Sequence, residues 1–413
     1  MTASLWRNRD YVGWLVGESL SSLGTSLSTF AYPLLVLFAT HSAARTGIVA
    51  AAANIGSLAT VLIGGALADR YSRRTLMVVG PLVQALIVLS VAIAALAGHV
   101  VLVHVAAAGF FDGAVMGVTG AADRAALRRL VPADQYATAS SQYWIRDSSV
   151  RIAGPPLGGV LFAASRALPF LVDAVSYLAA VVGAAAIRRP LGPDVAETAD
   201  RESLLSAVGA GVRFLLGNGY LRFLAWWAAL MNMLGSGLML LVILLVRERG
   251  GGATLIGGTQ AIGAVGGMVG ALVTGWVVRR LAGRWLVIAL SWAMAAAAFA
   301  MSALPAWGIG VMVSVVSFVA VPLNVTFDTY EMQIIPDEML GRVTTTINLA
   351  ANGLRWLAPL TVGLLVEWTS AQTTALVWGG AFVVVTLLVM ANRSVHVLNR
   401  PIAEVAAAQG AGA

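Results

Sequence analysis

Five ionisable residues stand inside long apolar runs: Glu18, Asp112, Arg146, Asp147 and Arg151. A charged side chain at the centre of a bilayer costs about 2.5–3.5 kcal/mol on insertion scales, so such residues mark ion paths, proton relays or substrate contacts. Glu18 heads a series, Ser22, Thr25, Thr29 and Tyr32, spaced +4, +3, +4, +3 on one helical face. A polar stripe avoids lipid, so it either faces an interior cavity or hydrogen-bonds neighbouring helices. No basic residue lies within a helical turn of Glu18 in the sequence, which makes it the leading candidate for proton exchange, with Asp112 its competitor. Asp147 and Arg151 stand at i and i+4, acid first, the favoured order for a helical ion pair. Counted from opposite membrane sides, Asp112 and Arg151 reach similar depth. The expectation is a buried Asp112–Arg151 contact, with Glu18 and Arg146 sharing a level nearer the cytoplasm; a static salt-bridge network is the alternative. Asn348, Asn352 and Arg355 share a face at +4 and +3. Asn232, Gln260 and Asn324 are cavity hydrogen-bonders or ordinary helix contacts. Asp173, near the outer end of its run, reads as structural, and Asp328 and Glu331 read as a solvated helix end.

Other chemistries lack their residues. Cysteine is absent, which excludes disulfides, thiolate metal sites and thiol nucleophiles. The four histidines, His41, His99, His104 and His396, are scattered, and every one of the 26 strongly basic residues is arginine. No nucleophile elbow, phosphate-cradling loop or zinc-protease motif occurs. The chain reads as no enzyme, with no cofactor and no metal.

The elements that must position these residues are membrane helices. Charged residues make up only 11% of the 413 and hydrophobic ones 59%, with mean hydropathy +0.85. A bilayer-crossing helix needs about 20 apolar residues. Spans fit near 11–38, 46–68, 75–97, 100–122, 138–163 and 167–187, then near 219–246, 253–278, 284–304, 307–330, 343–366 and 372–392. This gives an N-terminal bundle (1–187), a polar linker (188–218) whose second half suits an amphipathic surface helix, a C-terminal bundle (219–392) and a tail (393–413). Arg70, Arg73, Arg74, Arg124, Arg128, Arg129, Arg188, Arg189, Arg279, Arg280, Arg284 and Arg342 all fall in loops on one side, against Arg45, Arg166, Arg247 and Arg249 on the other. The positive-inside rule then places both termini in the cytoplasm. The net charge of +7 is accounted for by this topology rather than by nucleic acid. An internal repeat supports two halves: Leu130-Val131-Pro132-Ala133-Asp134 matches Ile334-Ile335-Pro336-Asp337-Glu338, with Arg151, Pro155 and Gly159 matching Arg355, Pro359 and Gly363 in the same register.

Between the second and third spans stands Gly65-Ala66-Leu67-Ala68-Asp69-Arg70-Tyr71-Ser72-Arg73-Arg74. Gly65 suits close helix approach, Asp69 ends the helix, and the arginines mark a cytoplasmic turn. The stretch resembles the signature loop of the major facilitator superfamily, with Ser72 where that family has glycine. Arg124 to Pro132, Gly154 to Gly159, Leu171 to Tyr177, Asn324, Gln333, Pro336-Asp337 and Gly341-Arg342-Val343 resemble the branch holding the enterobactin exporter and macrolide-efflux-like permeases. Thr25 stands where this branch often has an acid, and the fourth span lacks the arginine of drug–proton antiporters.

The resemblance implies an all-α membrane protein with twelve transmembrane helices in two pseudo-symmetric six-helix bundles. It implies a secondary transporter, exporting a small amphipathic molecule (drug, siderophore or natural product) and driven by a proton gradient. It also implies rocker-switch alternating access around a cavity lined by spans 1, 4, 7 and 10. Gly65, Asp69, Arg70, Arg73, Arg74 and Arg124 would form the cytoplasmic gate, Asp69 meeting the N-terminal end of the eleventh helix. The expected partners are substrate, protons and lipid; the expected setting is the cell membrane, as a monomer. An uptake symporter, a lipid or lysolipid flippase and a non-transporting sensor are the alternatives.

Overall fold

A computed structural model describes residues 5–189, 204–392 and 398–399. The described residues form fourteen α-helices: α1 (Arg9–Thr40), α2 (Ala43–Arg70), α3 (Arg73–Leu96), α4 (Leu102–Leu130), α5 (Tyr136–Ala164), α6 (Leu168–Ala185), α7 (Leu204–Gly217), α8 (Gly219–Glu248), α9 (Ala253–Arg280), α10 (Gly283–Ala303), α11 (Ala306–Ile334), α12 (Asp337–Gly353), α13 (Leu357–Trp368) and α14 (Ala371–Ala391). Ten spans, with α12 and α13 counted as one, are long and apolar enough to cross a membrane. The 28-residue α2 and 29-residue α5 complete the expected twelve; the composition of α5 is diluted by Arg146, Asp147 and Arg151.

Local chemistry sets the helix ends. The Asn8 side chain accepts from the Tyr11 amide at 3.3 Å to start α1. Asn218 accepts from Tyr220 and Leu221 at 2.9 and 3.2 Å to start α8, and Ser370 from Thr373 at 3.0 Å to start α14. These are the residue types that satisfy the orphan amides of a first turn. At the expected signature turn, α2 stops at Arg70 and α3 begins at Arg73. Ser72 there has φ −56°, so the turn needs no left-handed residue and the missing glycine costs nothing.

The chain divides into two compact units, residues 1–199 with 251–261, and 200–250 with 262–413. In the first, α1 packs on α5 and α6, α3 on α4 and α6, and α2 on α4. Glycines permit the closest crossings: a methyl group on Gly17 would lie 2.6 Å from the Ala179 carbonyl oxygen, and one on Gly64 would lie 2.6 Å from that of Gly117. The opening turns of α9 belong to this unit because Gly159 of α5 and Gly257 of α9 let the two backbones touch. In the second unit α10 packs on α11 and α14, and α8 on α12, α13 and α14. The helix expected in the linker's second half is α7, which lies on α8 and α12, with Gly211 against the Arg342 carbonyl. The rest of the linker (190–203), and the tail apart from 398–399, lie outside the described residues.

The expected eleventh span is broken. α12 ends at Gly353 and α13 begins at Leu357, whereas α5, its counterpart in the repeat, runs unbroken through Pro155 and Pro156. Pro359 cannot donate to the Arg355 carbonyl, and Gly353 replaces Ser149 of the first half. Gly353 is the helix-weakening residue that the second half has at this point and α5 lacks.

Large apolar side chains cover the outside, among them Leu86, Val103, Leu272 and Trp368, each more than two-thirds exposed. Polar side chains are buried instead, including Asp173, Ser28, Gln84 and Asp112. That inversion suits a lipid solvent.

Candidate functional site

The polar residues of the first unit gather in two clusters. The first lies between α1 and α5. Arg146 Nη1 stands 3.7 Å from Glu18 Oε1, the two side chains being 9% and 22% exposed. Ser22 donates to the same carboxylate oxygen at 3.4 Å. The Arg146 guanidinium lies over the Tyr143 ring, 4.3 Å from its centroid, and Tyr143 stacks on Trp14 at 6.4 Å. Tyr11 donates to Gln142 Oε1 at 2.7 Å beside them. Arg146 Nε and Nη1 and Trp14 Nε1 are buried and make no hydrogen bond. The cluster thus joins a loose ion pair, an aromatic wall and three buried donors lacking acceptors.

The second cluster lies among α1, α3, α4 and α6. Gln84 donates to Asp112 Oδ1 at 3.0 Å and to the Tyr177 hydroxyl at 3.1 Å, and Tyr177 donates to the same Asp112 oxygen at 3.3 Å. Thr25 donates to the Tyr177 hydroxyl at 3.0 Å. Across the cluster, Ser28 donates to Asp173 Oδ2 and Ser176 to Asp173 Oδ1 at 3.2 Å.

One expectation is corrected. Asp112 does not meet Arg151: Arg151 pairs with Asp147 at 2.9 Å on a face where its side chain is 79% exposed. The reason is topological, because α4 packs on α2 and α3 while α5 packs on α1 and α6. Glu18 and Arg146 do share a level, as expected, and Arg146 reaches the acid from 128 positions along the chain. The polar stripe of α1 serves several partners rather than one cavity: Glu18 and Ser22 turn to α5, Thr25 to α6, Tyr32 stacks edge-on against Phe170 at 5.1 Å, and Thr29 is exposed.

In the second unit Asn232 donates to the Ala351 carbonyl at 3.2 Å, tying α8 to α12. Asn348 and Asn352 are spent on carbonyls of their own helix, at 2.9 Å each, while Asn324 and Arg355 are exposed. Gln260 is buried on the first-unit part of α9. Among the signature-loop residues Arg73 is buried, and Arg74 donates to the Ala185 carbonyl at the end of α6. The side chains of Gly65, Asp69, Arg70 and Arg124 lie outside the described residues. Sequence reasoning passed over Gln84 and Tyr177. Gln84, a lone amide in an apolar run, carried the same signal as Glu18.

Apolar exteriors, buried charge and two helical halves in register define a polytopic membrane protein. The model of the Major Facilitator Superfamily matches residues 14–359, and the chain belongs to that family. It is 26% identical over 370 residues to the multidrug efflux pump Tap of Mycolicibacterium fortuitum, covering 86% of this chain and 88% of that one. The fold resembles the nucleoside transporter NupG (TM-score 0.75, 13% identity, 92% of this chain and 98% of that one). It also resembles a bacterial homologue of the iron transporter ferroportin in an inward-facing state (TM-score 0.71, 17% identity, 94% and 99%).

Proposed function

We propose that this transporter exports a small amphipathic molecule across the cell membrane by proton-driven alternating access, as a monomer with both termini in the cytoplasm. The observation that carries the reading is the Glu18–Arg146 cluster. At 3.7 Å the pair is an ion pair without a hydrogen bond, so an incoming proton or ligand displaces little. Trp14 and Tyr143 offer apolar faces, and the unpaired donors of Arg146 and Trp14 suit an acceptor-bearing substrate. The similarity to Tap, a multidrug efflux pump, supports efflux and a drug-like cargo. Glu18 is the residue we assign to proton exchange, with Asp112 the alternative carrier. Cargo enters the cluster from the cytoplasmic side while Glu18 is ionised; a proton reaching Glu18 from the outer side favours release there, and its loss to the cytoplasm resets the cycle.

The test is proton-gradient-driven uptake of a fluorescent cationic dye into inverted vesicles, with counterflow measured in the same preparation. Glu18→Gln fixes the neutral form and is expected to abolish concentrative uptake, at least tenfold, while counterflow persists. Concentrative uptake by Glu18→Gln with loss in Asp112→Asn would move the proton to Asp112. Accumulation only in right-side-out vesicles would make the chain an importer.

A further inference from the structure

The second cluster is a poor design for structure alone. Asp173 is fully buried and Asp112 only 7% exposed. Every hydrogen bond to either carboxylate comes from a neutral group: Gln84 of α3, Tyr177 and Ser176 of α6, and Ser28 of α1. Thr25 completes a chain of contacts, bonding the Tyr177 hydroxyl and acting on Asp173. Among the described residues, the titratable groups acting on Asp112, Asp173 and Tyr177 are one another and Tyr32, from α1, α4 and α6. No arginine or histidine of α2, α3 or α5 contributes; Arg146 acts on Glu18 instead. Two ionised carboxylates in a low-dielectric interior require compensating positive charge, and the described residues supply none here.

A separate observation points to a ligand. Tyr32 is 5% exposed, and its hydroxyl makes no hydrogen bond. Both carboxylates act electrostatically on that hydroxyl, and a buried phenol normally finds a partner. Gly24 lets α1 pass close to these groups: a methyl group there would lie 2.7 Å from Asp173 Oδ1. The acceptor atoms are oxygens throughout, the donor type that hard cations take. Two carboxylates with hydroxyls, and no third acid or histidine among the described residues, suit a monovalent ion rather than a transition metal.

We propose that Asp112 and Asp173, with the hydroxyls of Thr25, Ser28, Tyr32 and Tyr177, bind one exchangeable monovalent cation, Na⁺ or a proton competing for the same place. Gln84 orients the Asp112 carboxylate, and Tyr177 with Thr25 connects the two acids so that one bound charge serves both. The site lies wholly within the first unit. It extends the proton-exchange reading above to a second acid, Asp173, and stands on contacts independent of Glu18.

The experiment uses the purified full chain in lipid nanodiscs, with neither substrate nor gradient, so its outcome is separate from that of the export assay. Thermal unfolding is followed in Na⁺ and in choline at equal ionic strength over a range of pH. Binding of Na⁺ to the folded state raises the unfolding midpoint progressively with its concentration. The expected result is such a rise at alkaline pH, suppressed by acid, absent in Asp112→Asn and in Asp173→Asn. Tyr32→Phe, which keeps the ring against Phe170, should raise the half-saturating Na⁺ roughly fivefold, as for loss of about 1 kcal/mol. A proton as the natural occupant gives no Na⁺ response but one carboxylic-acid infrared band that either asparagine substitution removes or displaces. If wild type shows neither a Na⁺ response nor a band that both acids share, the site does not exist. Should the asparagine variants fail to fold, the wild-type and Tyr32→Phe measurements decide alone, an unshifted Na⁺ response in Tyr32→Phe counting against the site.

Discussion

At the scale of single residues, the Glu18–Arg146 pair is the clearest case of a partner that sequence spacing hides. Membrane depth put the two at one level. Helical periodicity offered Arg151 to Asp147, which is correct, and depth offered it again to Asp112, which is not. Depth is one coordinate; which helix packs on which supplies the others, and neither Asp112 nor Arg151 encodes it. Glu18 was legible as a candidate because an acid in an apolar run has few structural excuses. Asp173 was not, because its sequence position suggested a helix end, while the hydroxyls of Ser28 on α1 and Ser176 on α6 converge on it. The pair makes a quantitative prediction. Arg146→Ala leaves Glu18 four-fifths buried without a counter-charge. Breaking a fully buried pair costs about 3–5 kcal/mol, so with Glu18 22% exposed we expect about 2 kcal/mol. The loss is read as a lower unfolding midpoint in detergent. Glu18→Gln added to Arg146→Ala removes the orphaned charge and should recover at least half of it; a double variant no more stable than Arg146→Ala would show that the two residues are not coupled.

At the scale of elements, the helices were legible and their terminations partly so. Asn8, Asn218 and Ser370 announce helix starts by type alone. The ends are held by residues whose targets are remote in sequence. Glu248, the last residue of α8, accepts from the Ala371 amide at 3.0 Å and so caps α14. Its neighbour Arg249 donates to the carbonyls of Met301 and Ser302, at 2.8 Å each, and of Leu304, closing the C-terminus of α10. A cation at a helix C-terminus and an anion at an N-terminus both complement the helix dipole. The first unit has a comparable arrangement: Asn8 donates to the Leu130 carbonyl at 2.8 Å, and Asp10 accepts from the amides of Arg188 and Arg189 at 3.3 and 3.4 Å. Arg249→Ala abandons three carbonyls at once, at about 1 kcal/mol per lost bond, so a loss of about 2–3 kcal/mol is expected. Arg249→Lys, which keeps the charge but not the fork, should recover only part of it. Unaltered unfolding in Arg249→Ala would mean that water serves those carbonyls equally well.

At the scale of the whole molecule, the two halves keep their register to the residue where the motif is strongest. α4 and α11 are each 29 residues long and begin and end 204 positions apart, as the Pro132 and Pro336 motifs foretold. The register is lost where the halves have diverged chemically, at Gly353 against Ser149, and there α12 and α13 replace a single helix. A repeat reports common architecture, so two bundles were readable from the chain. It cannot report that the opening turns of α9 join the first unit, because that follows from Gly159 and Gly257 fitting together.

Orientation in the membrane depends on the same whole-chain count. Arginines crowd the turns after α2, α4, α6 and α9 and are sparse in the intervening ones, where Gly98, at φ 71°, closes the α3–α4 turn without a nearby arginine. Positive charge is retained on the cytoplasmic side during insertion, so Arg74, Arg129 and Arg189 should lie inside. With twelve spans, the chain after α14 returns to that side as well. A reporter active only in the cytoplasm should therefore be active when fused after Asn392 and silent when inserted at Gly98, and an exported reporter should give the reverse. Two matching signals would require an odd number of crossings between Gly98 and Asn392 to be replaced by an even one. The segments to re-examine first would then be α5, whose Arg146 and Asp147 dilute its hydropathy, and the interrupted pair α12 and α13.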